Sequence, residues 1–360
     1  MHEPRLISAA EAIREATDLA MAADPSVMLM GEGVADPKAI FGTTANLSQK
    51  YGPQRVIELP LSENGFTGIA IGAAMNGMRP IIVHQRVEFC LLAMEQIINN
   101  AAKIHYVSNG AHKSPIVVRL IVGRGWGQGP AHSQSLEALF AHIPGLKVVM
   151  PASATDAKGM LLASIQDDSP VIFIEHRWMH YVKGHVPPGM HVTPLDGPQR
   201  LREGDAVTVV SNSYMTLETI RAADELAKDG IAVDHFDLRV IRPLNVTQII
   251  ESVRRTGRLL TVDTGFSTFG IGAEIVSRVM QECCMQMKAA PRRIGLPEFP
   301  TPSSRSLAAE YYPRSPDIAA TIAEVAGAPA GRVAALRARL SADRESVPLD
   351  IPHHSFQGPF

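Results

Sequence analysis

The stretch Leu61-Ser62-Glu63-Asn64-Gly65-Phe66-Thr67-Gly68-Ile69-Ala70-Ile71-Gly72-Ala73-Ala74 decides the fold prediction. It follows the run Arg55-Val56-Ile57-Glu58-Leu59-Pro60, which predicts a strand, and its Gly and Ala content predicts a closely packed helix. Glu63 would then lie where the strand ends and the helix begins, a place where backbone N–H groups and the helix dipole meet a ligand. Glu63 is therefore the first functional candidate, with a carboxylate that only caps the helix as the alternative.

Composition excludes several classes of function. The 360 residues are 46% hydrophobic and 19% charged, which is enough to bury two cores. A net charge of −2 without a long Lys/Arg run argues against nucleic acid as a partner. No apolar run approaches the length of a membrane span, and the N-terminus shows no signal pattern. Cys90, Cys283 and Cys284 lack disulfide or metal spacing, so we predict a reducing, cytoplasmic location.

Short apolar strands alternate with helical stretches along most of the chain. This alternation predicts parallel sheets covered by helices. Individual expectations include a capping box at Ser8 to Glu11, a long helix from about Phe89 to Tyr106, and a strand from Val233 to Val240. A polar, Pro/Gly-rich segment interrupts the pattern in the middle. We therefore predict an α/β chain of two domains, each a mainly parallel sheet: residues 1–185, a linker at 186–204, a second domain at 205–327, and a C-terminal helix and tail at 328–360.

Residues just past the strands are the main functional candidates, because ligands of such sheets bind outside the carboxyl ends of the strands. Four positions follow predicted strands: Glu32, Glu63, the polar segment from His84 to Phe89, and the Gly-rich segment from Gly123 to His132. We expect them to converge on one edge.

The Gly-rich segment matches neither the dinucleotide fingerprint nor a Walker loop, so phosphate cradling is the weaker interpretation. Its glycines more simply let backbone approach a cofactor or substrate. His132 is expected at the start of the next helix, where a positive dipole would keep the ring neutral. We predict a proton donor or oxyanion partner there, with an exposed structural histidine as the alternative.

Two catalytic motifs are missing from the sequence. There is no Gly-Asp-Gly with a downstream Asn to hold a magnesium diphosphate, and Gly204-Asp205-Ala206 is the nearest approach. There is also no Gly-x-Ser-x-Gly for a nucleophilic serine.

Six segments occur together and in order: Tyr51-Gly52-Pro53, Ser62 to Gly68, Glu95 to Lys103, Ala131 to Ser135, Phe140 to Pro151, and Asp237-Leu238-Arg239 through Arg242-Pro243-Leu244. With them the chain resembles the beta subunit of thiamine-diphosphate-dependent 2-oxoacid dehydrogenases, in the transketolase-like superfamily, over about residues 5 to 325. The resemblance implies a pyrimidine-binding domain followed by a transketolase C-terminal-type domain.

The resemblance also implies roles for residues. Glu63 would hydrogen-bond the pyrimidine nitrogen of thiamine diphosphate and favour the imino tautomer that activates the cofactor. Phe89 would pack on the pyrimidine ring, and Gln85 would lie beside the cofactor. His132 would handle protons on the reacting group or guide the acyl group to its acceptor. Glu32 would lie near the proton path.

Partners and metals follow from the same resemblance. An alpha subunit would hold the Mg²⁺ and the diphosphate in an α2β2-type heterotetramer, and a lipoyl acyltransferase core would receive the acyl group. Backbone carbonyls near four residues would surround a structural K⁺: Ile116, Ser164, Asp167 and Ser169.

Departures from the family pattern keep three functions open. His84 to Val87 and the Gly-rich segment are more polar than the corresponding segments of the pyruvate enzymes. Pro302-Ser303-Ser304 stands where the family usually has Pro-Tyr. The first function is decarboxylation of a small-molecule 2-oxoacid with acyl transfer to lipoyl-lysine. The second is a two-component thiamine enzyme that transfers a ketol or acyl unit to an aldehyde or sugar. The third, a non-catalytic partner subunit, conflicts with the intact Glu63, Phe89 and His132.

Overall fold

The structure is a computed structural model, and it describes residues 5–125 and 127–342. The chain divides into two compact units. The first contains Met1–Arg124 and Leu139–Leu195, and the second contains Gly125–Ala138 and Asp196–Phe360. Each unit is an α/β fold built on a mainly parallel sheet, which confirms the predicted fold class. Trp126 and the tail beyond Ala342, both discussed from the sequence, lie outside the described residues.

The first unit alternates strands and helices from its N-terminus. Its strands are β1 (Leu6–Ser8), β2 (Val27–Gly31), β3 (Val56–Glu58), β4 (Arg79–His84), β5 (Val117–Val122), β6 (Lys147–Val149), β7 (Val171–His176) and β8 (Lys183–His185). Its helices are α1 (Ala9–Ala23), α2 (Leu47–Tyr51), α3 (Glu63–Met75), α4 (Ile104–Val107) and α6 (Ala154–Gln166), while α5 (Glu137–Ala141) begins in the second unit and ends in the first.

The main sheet of this unit has the strand order β6-β7-β5-β4-β2-β3, and all these pairs are parallel. Every residue of β2, β5 and β7 is buried, as expected of strands covered on both faces. Because the strands are parallel, their carboxyl ends share one edge. The residues that follow these strands therefore line a common surface.

Two helices of the first unit begin as the sequence predicts. The Ser8 hydroxyl accepts from the Glu11 N–H at 3.2 Å, and the Glu11 carboxylate accepts from the Ser8 N–H at 2.7 Å, so the capping box at α1 is confirmed. Helix α3 begins at Glu63, directly after the N-cap residue Ser62. Its buried face includes Phe66, Ala70 and Ala74.

The prediction of one long, regular helix from Phe89 to Tyr106 is wrong. The segment contains a 3-10 turn at Phe89–Ala93, a π-helical turn at Gln96–Ala101 and the short helix α4. The π-turn lies against α3, where a Cβ on Gly68 would approach the Gln96 side-chain oxygen to 3.3 Å. Each of these turns is too short for the spacing of its apolar residues to reveal its type, and π-turns often occur near functional sites.

The second unit carries the remaining strands and helices. Its strands are β9 (Gln199–Arg202), β10 (Val207–Ser211), β11 (Val233–Asp237), β12 (Val240–Arg242), β13 (Leu259–Phe266) and β14 (Arg292–Leu296), and its helices are α7 (Ser213–Lys228), α8 (Thr247–Thr256), α9 (Ile271–Cys283), α10 (Arg305–Tyr311), α11 (Ser315–Val325) and α12 (Ala330–Ala342). The sheet order is β14-β13-β10-β11-β9, with only the β11–β9 pair antiparallel.

The strand predicted from Val233 to Val240 is divided into β11 and β12. Arg239 has a φ of 47°, in the left-handed region, and this turn ends the extended run. The Leu238 N–H donates to the Ser211 carbonyl at 2.8 Å, which anchors the turn to β10. Within the described part of the chain, no helix is long and apolar enough to cross a bilayer.

Candidate active site

The carboxyl edge of the first unit's sheet collects the polar residues that follow its strands. Glu32 follows β2, Gln85 follows β4, and Arg177 follows β7. Glu63 is reached by a short connection after β3 and begins α3. This edge is the place where ligands of parallel α/β sheets bind.

Glu63 is buried, yet it does not act as the cap of its helix. The residue is 6% exposed and occupies the first helical position, and its carboxylate accepts no hydrogen bond from residues 5–125 or 127–342. The residue is largely buried but its oxygens are not enclosed, so they can accept a hydrogen bond from a donor that a ligand brings. The capping interpretation of Glu63 therefore finds no support in the geometry.

Glu32 lies within electrostatic reach of Glu63. Burial, followed by the charges of Glu63 and Glu58, raises the pKa of Glu32 above its usual value. Its Oε1 atom is buried and has no hydrogen-bond partner among the described residues. The Gln85 side chain holds the backbone of Glu32 in place, because Gln85 Nε2 donates to the Glu32 carbonyl at 2.8 Å. The structure thus brings together three predicted site residues: Glu32, Glu63 and Gln85.

The turn between Glu32 and the next helix depends on a glycine. Gly33 has a φ of 75°, and a Cβ there would lie 2.4 Å from Gln85 Nε2. The Gly33 N–H donates to Glu58 Oε1 at 2.5 Å, and the Ala35 N–H donates to Glu58 Oε2 at 2.8 Å. Glu58 is therefore committed to holding this turn, unlike Glu63.

Phe89 begins the 3-10 turn Phe89–Ala93 and is half-buried. The next residue, Cys90, is fully buried, and burial together with the charge of Glu63 raises the pKa of its thiol. This turn therefore runs beside Glu63. Asn64 Nδ2, on α3, donates to the Leu92 carbonyl at 3.4 Å and ties the helix to the turn.

His84 supports the site from below. The residue is 3% exposed and stacks on Phe66 of α3 with 5.4 Å between ring centroids. Burial lowers the pKa of His84 to about 4, so the ring is neutral at physiological pH. The polar side chain noted in the sequence is thus a packing element of the α3 helix.

Sequence reasoning did not identify Arg177 as a site residue. Its side chain is 2% exposed, and its guanidinium lies 4.7 Å from the centroid of the Phe41 ring. Burial, followed by the positive charge of Arg86, lowers the pKa of Arg177 to about 10. The rule that located Glu32 and Gln85 also applies here, since Arg177 comes directly after β7.

His132 lies in the second unit, in a segment that the first unit's chain flanks on both sides. It is exposed and belongs to the 3-10 turn Ala131–Ser133, and the next helix, α5, begins at Glu137. The expectation of a helix start at His132 is therefore wrong, and the argument from a helix dipole does not apply. Within this loop, the Gly125 N–H donates to Gln128 Oε1 at 3.0 Å.

Three of the four carbonyls predicted to surround K⁺ accept hydrogen bonds within the protein. The Ile116 carbonyl accepts from the Val171 N–H at 2.9 Å, the Ser164 carbonyl accepts from the Asp167 N–H at 3.3 Å, and the Asp167 carbonyl accepts from Arg79 Nη1 at 3.0 Å. Each carbonyl oxygen keeps a second lone pair. The K⁺ site at Ile116, Ser164, Asp167 and Ser169 stays a prediction. The described residues contain no group of three or more His, Cys, Asp or Glu that could hold a metal ion.

Comparisons with known proteins agree with this architecture. The family model of the transketolase pyrimidine-binding domain matches residues 6–180, and that of the transketolase C-terminal domain matches residues 198–318. The chain is 41% identical over 312 residues to a mitochondrial pyruvate dehydrogenase E1 component subunit beta-2 from Oryza sativa subsp. japonica, covering 86% of this chain and 83% of the relative.

Two bacterial relatives carry other names. An acetoin:2,6-dichlorophenolindophenol oxidoreductase subunit beta from Cupriavidus necator is 39% identical, covering 88% of this chain and 96% of the relative. A 2-oxoisovalerate dehydrogenase subunit beta from Bacillus subtilis is 38% identical, covering 87% and 96%. A solved split-gene transketolase, described as an inactive beta4 tetramer, shares the fold with a TM-score of 0.74 at 21% identity, covering 89% of this chain and 99% of that one.

Proposed function

Because this chain belongs to the beta subunits of the thiamine-diphosphate-dependent 2-oxoacid dehydrogenases, we propose that Glu63, Phe89, Gln85 and Glu32 form the pyrimidine side of its cofactor site. The observation that supports this proposal is Glu63, which is 6% exposed and whose carboxylate has no hydrogen-bond partner among the described residues. A protonated pyrimidine nitrogen would supply the missing donor. Buried Glu32 Oε1 is a second acceptor or proton carrier at the same edge.

The chain's own residues have distinct tasks in this proposal. Thiamine diphosphate supplies the carbanion chemistry when bound. Glu63 holds a proton at the pyrimidine nitrogen, Phe89 offers an aromatic face to the ring, and Gln85 fixes the Glu32 backbone. Glu32 is suited to passing a proton because the raised pKa brings its neutral and charged forms closer in energy. His132 handles protons on the substrate side or guides the acyl group.

The reaction we propose is decarboxylation of a 2-oxoacid followed by acyl transfer to lipoyl-lysine on an acyltransferase core. Beta subunits of this family work with alpha subunits, and we propose an α2β2 assembly in which the alpha chain holds the Mg²⁺ and the diphosphate. The proposal also includes the K⁺ site, the domain bounds 1–185 and 205–327, and a cytoplasmic location.

A second candidate function is transfer of a ketol or acyl unit to an aldehyde or sugar. The buried Arg177, facing the charge of Arg86, favours a substrate or acceptor with an additional anionic or polar group. With thiamine diphosphate, Mg²⁺ and a set of 2-oxoacids, reduction of a dye without aldehyde supports the dehydrogenase. Carbon–carbon bond formation that requires an added aldehyde supports the second candidate.

The test of the site compares Glu63→Gln with the wild type, each co-expressed with its alpha chain. A charge-assisted hydrogen bond is worth about 1.5–3 kcal/mol, so we expect dye reduction to fall by roughly ten- to a hundredfold, while the thermal unfolding temperature changes little. Calorimetric binding of thiamine diphosphate should weaken in parallel.

Glu282→Gln is the matched control, because the Glu282 side chain is 55% exposed and pairs only with a surface arginine. Its activity should equal that of the wild type. Undiminished activity in Glu63→Gln would refute the proposed role of this carboxylate.

A further inference from the structure

The segment that carries His132 is held to the rest of the second unit by two contacts. Gly125–Ala138 belongs to that unit, although the chain on both sides belongs to the first. One attachment is steric: a Cβ on Gly129 would lie 2.1 Å from Ser303 Oγ, so the glycine backbone packs directly on Ser303. The second attachment is the carboxyl group of Glu137, at the other end of the segment.

Glu137 is 1% exposed and begins α5. Its Oε2 atom accepts from the Ser135 hydroxyl at 2.7 Å, and its Oε1 atom lies 3.5 Å from the Thr264 hydroxyl of β13. A Cβ on Gly265 would approach Oε1 to 2.3 Å, so only a glycine at this point of β13 leaves room for the carboxyl group. Glu137 is therefore packed against the backbone of β13.

Asp263 faces Glu137 from β13 and is itself 5% exposed. Its oxygens are already supplied with donors. Asn212 Nδ2 donates to Oδ1 at 2.7 Å, the Gly265 N–H donates to Oδ1 at 3.2 Å, and the Gly272 N–H donates to Oδ2 at 3.4 Å. These donors come from the residue before α7, from β13 and from the start of α9, so both oxygens of Asp263 act as acceptors.

Two buried carboxyl groups in contact cannot both be charged without a large cost. Burial and the charge of Asp263 raise the pKa of Glu137 to about 8, outweighing the opposing hydrogen bonds from Ser135 and from the Glu137 N–H. At neutral pH, Glu137 therefore carries the proton, and its O–H can donate to Asp263.

We propose that Glu137 is a positioning residue: its protonated carboxyl group donates to Asp263 and fixes the segment that presents His132. This inference rests on the proposed role of His132 for its effect on catalysis, but not for its effect on the segment. When Glu137 loses its proton, two carboxylates face one another inside the unit, and the attachment of the segment fails.

The direction of the pH effect follows from the raised pKa. The favourable contribution of Glu137 is fully present below its unfolded pKa, near 4.5, and is lost as the pH rises through about 8. The segment should stay attached until the pH approaches 8, because its attachment depends on the proton that Glu137 carries in the folded state. Catalysis should then show an alkaline limb with a midpoint near pH 8.

The experiment uses the complex with the alpha chain and the variants Glu137→Gln and Glu137→Ala. Gln keeps the shape and offers an N–H donor to Asp263 that does not titrate, whereas Ala removes the donor. Hydrogen–deuterium exchange of residues 127–138, corrected for the intrinsic pH dependence of exchange, is measured from pH 6.5 to 9.5 together with kcat.

In the wild type we expect protection of the segment and kcat to fall together above pH 8, by roughly tenfold per pH unit. Glu137→Gln should keep both up to pH 9.5, and Glu137→Ala should lose protection at every pH. The proposal is overturned if wild-type protection does not change across this range, or if Glu137→Gln retains the alkaline limb.

Failure of the proposed His132 role is recognised separately. If His132→Ala keeps full activity, His132 is not catalytic, yet the exchange data still decide whether Glu137 holds the segment.

Discussion

The carboxyl edge of the first unit's sheet has an acidic half and a basic half, and in each half two like charges lie near one another. Past β2 and β3, Glu32 lies near Glu63, while past β4 and β7, Arg86 faces Arg177. In each half, burial and a like charge shift a pKa toward the neutral form, upward for Glu32 and downward for Arg177.

A buried ion pair just below this edge shows the contrast. Arg119 of β5 and Glu175 of β7 are joined by a bond of 2.5 Å between Nε and Oε1, and both side chains are at most 1% exposed. These two charges satisfy one another, whereas at the edge like charges contribute to the pKa shifts of Glu32 and Arg177. Under the proposed function, a ligand would bring the opposite charges: a protonated ring on the acidic side and an anionic group on the basic side.

The largest effect is expected from breaking the buried pair. Burial alone would raise the pKa of Glu175, but Arg119 and His180 outweigh it and lower the pKa to about 2. Glu175→Gln leaves Arg119 buried without its counter-charge, which should cost about 3–5 kcal/mol of unfolding free energy at pH 7, measured by urea denaturation. The wild-type advantage should vanish as the pH falls from about 4.5 through 2.

Arg254→Gln serves as the control, because Arg254 forms an exposed pair with Glu282 at 3.1 Å. Its cost should stay below about 1 kcal/mol. If both variants lost the same small amount, the contrast between the buried pair and the edge would collapse.

A smaller effect is expected from removing one charge of the basic half. Arg86→Gln takes away the cation that faces Arg177, so the pKa of Arg177 should rise while one attraction for an anionic substrate is lost. For a half-buried cation this loss is about 1 kcal/mol, so KM should rise about fivefold with kcat nearly unchanged. Steady-state kinetics of the complex with the alpha chain measure both constants. An unchanged KM would mean that the basic half does not contact the substrate.

The smallest effect is expected on the acidic side. Glu32→Gln removes a charge that burial, Glu63 and Glu58 oppose, so the variant should be more stable than the wild type by a few tenths of a kcal/mol at pH 7. Because the folded pKa of Glu32 is raised, its favourable contribution is present at low pH and is lost as the pH rises through that value. The gain should therefore be absent at pH 4 in unfolding experiments, and a variant that is less stable at pH 7 would contradict the proposed repulsion.

Sequence reasoning reached the acidic half more completely than the basic half. Glu32 and Glu63 follow strands that apolar runs define clearly, so the parallel-sheet rule located them, as it located Gln85 after β4. Arg177 obeys the same rule, but a single arginine after a strand is usually exposed, and only the packing on Phe41 reveals its burial.

Other features depended on contacts between distant parts of the chain. The turn types within Phe89 to Tyr106 follow from packing against α3, and apolar spacing does not encode them. The pairing of Glu137 with Asp263 joins residues far apart in sequence, and so does the membership of the His132 segment in the second unit. Local propensity carries no information about either.

The buried Cys90 reports when the edge opens. Cys284 is exposed and should react with a thiol reagent in every folded molecule, so it counts the protein present. Cys90 has no exposed surface, and burial beside Glu63 keeps its thiol protonated, so it reacts only when the turn Phe89–Ala93 separates from α3. The ratio of the two labelling rates therefore measures how often this edge opens, and the measurement needs no engineered probe.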